Sequence, residues 1–127
     1  MSADALAQQA TCLRELARAT FAAADDELGS GGWSRLVFDY RVAPSQSGQA
    51  MEQFRALTPQ GSVSVSSSGL LDITWKLHQL RDSLPREPWY GLCLIVRSDG
   101  KVHVKYDYDR NCLEGILKDT RFYEDLL

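Results

Sequence analysis

The side chains most able to do chemistry are His78 and His103, the thiols Cys12, Cys93 and Cys112, and the acidic pair Asp107 and Asp109. A histidine base needs a neighbour that orients it and a substrate within reach. His78 sits in a helical pattern between Leu77 and Leu80, and His103 in an alternating strand. Neither is flanked by a motif, so both read as surface or partly packed residues. Cys93 lies inside the apolar run from Trp89 to Val96, where a thiol behaves as a small inert hydrophobe. Folding that run back at Asp99-Gly100 sets Cys93 opposite a residue near Tyr106, away from His103, which argues against a Cys–His couple. Three cysteines with no C-x-x-C or H-x-x-x-H spacing predict reduced thiols and no metal centre. Gly29 to Gly32 lacks the Lys-Ser/Thr of a phosphate loop, and no serine stands in a G-x-S-x-G elbow. Asp107 and Asp109 share a strand face with Lys105 and read as a solvated pair. The expectation is a protein that acts by binding, with no catalytic residue, metal or cofactor.

The elements that must position a binding surface follow from periodicity. Residues 3 to 28 hold no Gly or Pro and place Leu6, Ala10, Leu13, Ala17, Phe21 and Ala24 on one helical stripe. Ser2 or Asp4 could cap that helix, and Gly29 to Gly32 ends it. The acidic triplet Asp25-Asp26-Glu27 falls at the helix end the macrodipole disfavours, either as a frayed solvated end or as an acidic surface for a partner. From Trp33 to Val42 the period becomes two. Leu36, Phe38, Tyr40 and Val42 take one face, and Arg35, Val37, Asp39 and Arg41 the other. Pro44 to Gly48 is turn chemistry, Gln49 to Leu57 returns as a second strand, and Ser62 to Ser66 forms a third. Leu70 to Leu84 predicts a second helix, capped by Ser68, stopped by Pro85 and bearing Leu70, Ile73, Trp75, Leu77 and Leu80. Both Trp75 and Trp89 are expected in the core. A hairpin follows, Trp89 to Val96 and Val102 to Tyr108, turning over Ser98 to Lys101. A short helix from Cys112 to Leu117 and a tail packing Phe122, Tyr123, Leu126 and Leu127 complete the order α-β-β-β-α-β-β-α. This is an α+β fold, an antiparallel sheet of four to five strands with helices mainly on one face, in a single domain over residues 1–127.

Composition closes off several classes. The 127 residues are 44% hydrophobic and 24% charged, as in an ordinary globular domain. Such a domain removes roughly two-thirds of its unfolded surface from water. A net charge of −3 without a Lys/Arg run speaks against clamping nucleic-acid phosphates. No stretch approaches a bilayer span, and Met1 to Ala10 lacks the features of a secretory signal, so a cytoplasmic protein without membrane contact is expected.

Helices on one side of an antiparallel sheet leave the other side to water. The positions expected there, Asp39, Arg41, Lys105, Asp107 and Asp109, interleave with Tyr40, Tyr106 and Tyr108. Tyr and Arg are enriched in binding hot spots, and carboxylates steer basic partners. These eight residues are the candidate partner-binding set. The plainer alternative is a solvated face with core-facing tyrosines.

The segment Trp89 to Asp109, Trp-Tyr-Gly-Leu-Cys-Leu-Ile-Val-Arg-Ser-Asp-Gly-Lys-Val-His-Val-Lys-Tyr-Asp-Tyr-Asp, resembles the C-terminal signature of YezG-like immunity proteins. That signature is a Trp, a short apolar strand, an Asp-Gly-Lys turn and a Tyr-Asp-Tyr-Asp ending. The Val37-Phe38-Asp39-Tyr40 strand and the Leu70 to Leu84 helix fall in the family's order, so the likeness covers roughly two-thirds of the chain. The family's Arg-Arg-Trp type ending is here Arg121-Phe122-Tyr123. The resemblance implies an antitoxin of a bacterial polymorphic toxin system. It would be a monomer or homodimer when free, and in the cytoplasm it would cover the active site of a cognate toxin domain, often a nuclease or deaminase with a basic cleft. The modest acidity of the chain agrees with that role. A small acidic secretion chaperone escorting an effector is the alternative from another class, and an enzyme the third.

Overall fold

The computed structural model describes residues 2–43, 50–82 and 88–110. The expected Pro44–Gly48 turn, the Pro85 stop, Cys112 with its short helix and the packed tail lie outside them, as do the side chains of Ser2 and Asp4. Helix α1 (Ser2–Leu28) is followed by strands β1 (Arg35–Val42), β2 (Ala50–Thr58) and β3 (Gly61–Ser64). A 3-10 turn (Ser68–Leu70) leads into α2 (Leu71–Asp82), and strands β4 (Gly91–Arg97) and β5 (Val102–Asp107) close the described chain. The strands form one antiparallel sheet in the order β3-β2-β1-β4-β5. The architecture is α+β, and the element order through β5 follows the sequence pattern. No helix among the described residues is long and apolar enough to cross a membrane.

Helix α1 ends because Gly29 adopts φ +84°, a left-handed conformation that a residue with a Cβ takes at a cost. Its acidic end is tied down. Asp25 Oδ1 accepts from Trp33 Nε1 at 2.9 Å, and Glu27 Oε1 accepts from the Ser66 amide at 3.2 Å. Two of the three carboxylates therefore fasten the helix to the loops around it. The buried stripe of α1 is turned from the one expected. Gln9, Cys12, Leu16, Ala17, Thr20 and Ala24 are buried, Leu13 and Phe21 are half-buried, and Leu6 and Ala10 are exposed. Small polar groups can line a packed face when their hydrogen bonds are made internally. Thr20 Oγ1 donates to the Ala17 carbonyl at 2.8 Å, and the Cys12 thiol meets the Ile73 carbonyl at 3.5 Å.

On the helix side of the sheet Phe38 meets Phe54 edge-on at 6.0 Å, and Leu36, Val42, Leu92, Leu94 and Val96 fill the core with Leu70 and Leu77. Trp89 is buried as expected. Trp75 is not: it is 60% exposed and stacks on His78 at 5.7 Å. The 3-10 turn points Leu70 inward, and α2 turns Thr74, Leu77, His78 and Arg81 inward, one flank round from Leu71 and Trp75. Ser68 does not cap it either. The residue at the cap of the 3-10 turn is Ser67, and it makes no side-chain capping bond.

Candidate functional site

Alternation along β1, β4 and β5 divides the eight candidate residues between the two sides of the sheet. Tyr40 points to the helices, where its hydroxyl lies 2.8 Å from His78 Nδ1. Burial pushes its phenol up to about 12, with the Glu52 carboxylate adding to the rise and Arg81 opposing it. Tyr106 follows the same direction. Its hydroxyl accepts from Gln9 Nε2 at 3.4 Å, its ring lies 6.3 Å from Trp89, and Tyr108 follows at 6.5 Å. Gln9 Oε1 in turn accepts from Trp89 Nε1 at 3.2 Å, so one amide serves two aromatic residues. The tyrosines thus belong to the helix side and its β5 margin, with Tyr108 55% exposed there.

The charged candidates take the opposite side, and its centre is not a solvated surface. Val37, Asp39, Arg41 and Cys93 are all buried, with Asp39 at 1% and Arg41 at 5% exposure. This corrects the expectation of a water-facing row on β1. The strand is the middle one of five and is shielded on both faces, so its alternation separates aromatic from ionic rather than buried from exposed. A buried ion persists only if it is paired and hydrogen-bonded. Arg41 Nε donates to Asp39 Oδ2 at 3.1 Å and Oδ1 at 3.4 Å, an i, i+2 pair on one strand face.

Register builds the rest. Asp39 stands beside Cys93, which stands beside Lys105, and Arg41 stands beside Gly91, which stands beside Asp107. Two cross-strand rows result, acid to base in one and base to acid in the other, with the small residues Cys93 and Gly91 between the charges. Because β1 and β5 are two strand spacings apart, about 10 Å, the charges do not close over the middle. A cleft of about 250 Å³ opens there, lined by Asp39, Arg41, Gly91, Cys93, Lys105 and Asp107, together with Leu92 and Tyr106. The Cys93 thiol is pushed up to about 12, first by burial and then by the Asp39 carboxylate. It is a neutral floor to the cleft and a poor nucleophile.

Asp39, Arg41, Lys105 and Asp107 are thereby brought together, with Tyr106 also lining the cleft, while Tyr40, Tyr108 and Asp109 do not line it. Asp109 follows β5, and its amide donates to Asp107 Oδ1 at 2.9 Å, so the Asp107 carboxylate also holds the turn that leaves the strand. Gly91 is the site residue that the sequence pattern left unmarked. An isolated glycine inside an apolar strand, here between Tyr90 and Leu92, signals a bulge or a close approach, and that signal was present. Among the described residues no group of three or more His, Cys, Asp or Glu side chains could hold a metal ion. Compared with known proteins, the chain matches no protein-family model and no curated protein.

Proposed function

We propose that the protein is a cytoplasmic immunity protein that binds and neutralises a cognate toxin domain, and that the Gly91 cleft receives one side chain of that toxin. The observation that carries this reading is the cleft's pattern of charge. It places a buried, preorganised Asp39–Arg41 pair on one wall and Lys105 with Asp107 on the edge-strand wall. A cavity of about 250 Å³ admits a single long side chain. The alternating signs suit one that both donates and accepts, or a cation seated toward Asp107. Support for the toxin class, a nuclease or deaminase, comes from the likeness of Trp89 to Asp109 to the YezG-like signature. The acidic, tyrosine-bearing patch expected beforehand gives way to a mixed-charge one, so recognition depends on the pairing of charges more than on net acidity.

The test is co-expression with the product of the adjacent toxin reading frame. Wild type rescues growth. Gly91→Val fills the cleft with a residue suited to a strand and should fold yet fail to rescue, as should Asp107→Lys combined with Asp109→Lys. A wild-type chain that binds no neighbouring gene product overturns the immunity role, and a protective Gly91→Val removes the cleft from it. A secretion chaperone is the second reading. It is favoured by a mainly apolar groove of about 390 Å³ between α1 and the β4–β5 hairpin, lined by Ala17, Phe21, Ala22, Val96, Gly100 and Val102 with Arg18 and Asp25. A chaperone captures a partly unfolded client, whereas an immunity protein captures a folded toxin.

A further inference from the structure

Strand β5 ends the sheet, and among the described residues no strand lies beyond it. An edge of this kind offers unpaired backbone groups to another chain. Its side chains are also open. On the helix side Val102, Tyr106 and Tyr108 are exposed, and Val104 is half-buried. The adjoining flank of α1 continues the apolar surface. Ala17 and Phe21 face Val102 across the groove, and helical spacing carries the same flank back through Ala10 to Leu6, both exposed. We infer that this edge pairs antiparallel with β5 of a second copy of the chain, in a register centred on Tyr106.

The register follows from backbone direction and charge. The Lys101 and Asp107 carbonyls accept from the Arg97 and Tyr90 amides, so the odd-numbered residues of β5 hydrogen-bond toward β4. Val102, Val104 and Tyr106 therefore turn their amides and carbonyls outward. A two-fold pairing must oppose outward residues to outward residues, which leaves registers centred on a residue and excludes those centred between two. A centre at Val104 sets Lys105 against the partner's His103, a centre at Lys105 sets lysine on lysine with His103 against Asp107, and a centre at Asp107 sets carboxylate on carboxylate and offers Lys105 only Asp109, beyond the end of the strand. A centre at Tyr106 alone sets Lys105 against the partner's Asp107, and it does so twice, with Tyr106 meeting its own copy. Opposite charges directly across a strand pair stabilise it and like charges destabilise it. Lys105 and Asp107 make no ion pair with another described residue. In such a dimer the two mixed-charge clefts meet at the two-fold axis and form one longer site.

Light scattering on the purified chain at a series of concentrations tests this without any toxin, so its result is separate from that of the rescue experiment. Wild type should reach twice the chain mass. Lys105→Asp and Asp107→Lys each replace two attractive pairs by two repulsive ones and should weaken association about tenfold. The double swap Lys105→Asp with Asp107→Lys restores complementarity and should restore the dimer. Val104→Pro removes an outward amide that β4 does not use, so it should leave circular dichroism unchanged and yield a monomer. A wild-type monomer overturns the inference. So do single swaps that keep the dimer, a double swap that stays monomeric, and an edge that pairs only with a foreign strand.

Discussion

The two faces of strands β1, β4 and β5 solve the same problem differently. Toward the helices, polar atoms are buried mainly as side-chain hydrogen-bonded pairs, Tyr40 with His78, Trp89 with Gln9, and Gln9 with Tyr106, and the buried Arg81 guanidinium donates to the Trp89 carbonyl. On the opposite face they are buried as ions, Asp39 with Arg41, beside a thiol held neutral by its surroundings. Neutral pairs lose little on leaving water once their hydrogen bonds are made, while ions lose much and recover it only in good geometry. The helix face can therefore be a load-sharing core that tolerates adjustment. The ionic face has one arrangement that works, which is the property a recognition surface needs.

Substitutions can separate the two faces, and the largest effect belongs to the helix side. Trp89→Ala removes the largest of the fully buried side chains and takes the Trp89 donor from Gln9 Oε1, and should lower stability by about 4 kcal/mol in chemical denaturation. A loss below 1 kcal/mol, on the order of a surface change, would break the distinction between the faces. Arg41→Ala takes the Arg41 cation away from the buried Asp39 carboxylate and should cost about 3 kcal/mol. Replacing the pair together, Asp39→Leu with Arg41→Met, should recover most of that loss by melting temperature and still abolish partner binding. Recovery of both would show the pair to be purely structural.

Alkaline pH sharpens the contrast further. Tyr40 and Cys93 are both held protonated to about 12 in the folded chain, above ordinary values of 10.0 and 9.0. The folded state keeps these protons where the unfolded chain releases them, so stability is full below about pH 9 and declines as pH rises toward 12. Tyr40→Phe should remove only the part of that decline that sets in above pH 10, as followed by denaturation at each pH. The smallest effect is expected at Trp75, where Trp75→Ala should change the unfolding free energy by no more than about 0.5 kcal/mol.

How much of this was legible varies by element. The β4–β5 hairpin could be read because β-branched alternation and Asp99-Gly100 turn chemistry agree, and Gly100 adopts φ +93° at the tip. Alternation also separated Tyr40 from Asp39 correctly. It could not reveal that Asp39 and Arg41 are buried, because a paired i, i+2 acid and base look the same in a solvated strand as in a shielded one. Trp75 reads as core by hydrophobicity, but the flank decides: on α2 it rides with Leu71, while Thr74, His78 and Arg81 go inward. Gln9 carries no signal in the sequence and His78 reads only as a surface or partly packed residue, each being a polar residue whose partner lies in a distant element. The cleft itself depended on a residue without a side chain, and on register across three strands that no local pattern contains.

Gln9 also bears on the order of events during synthesis. Its amide waits for Trp89, 80 residues later, and for Tyr106, 97 residues later. Closing a loop of that length costs about 4 kcal/mol of chain entropy. A ribosome delivers α1 first and the hairpin long afterwards, so the helix spends most of translation with Cys12, Leu16 and Ala24 uncovered. Native docking of α1 at Gln9 is therefore among the last events, and any factor that shields nascent chains would find the inner face of α1 uncovered until the hairpin emerges.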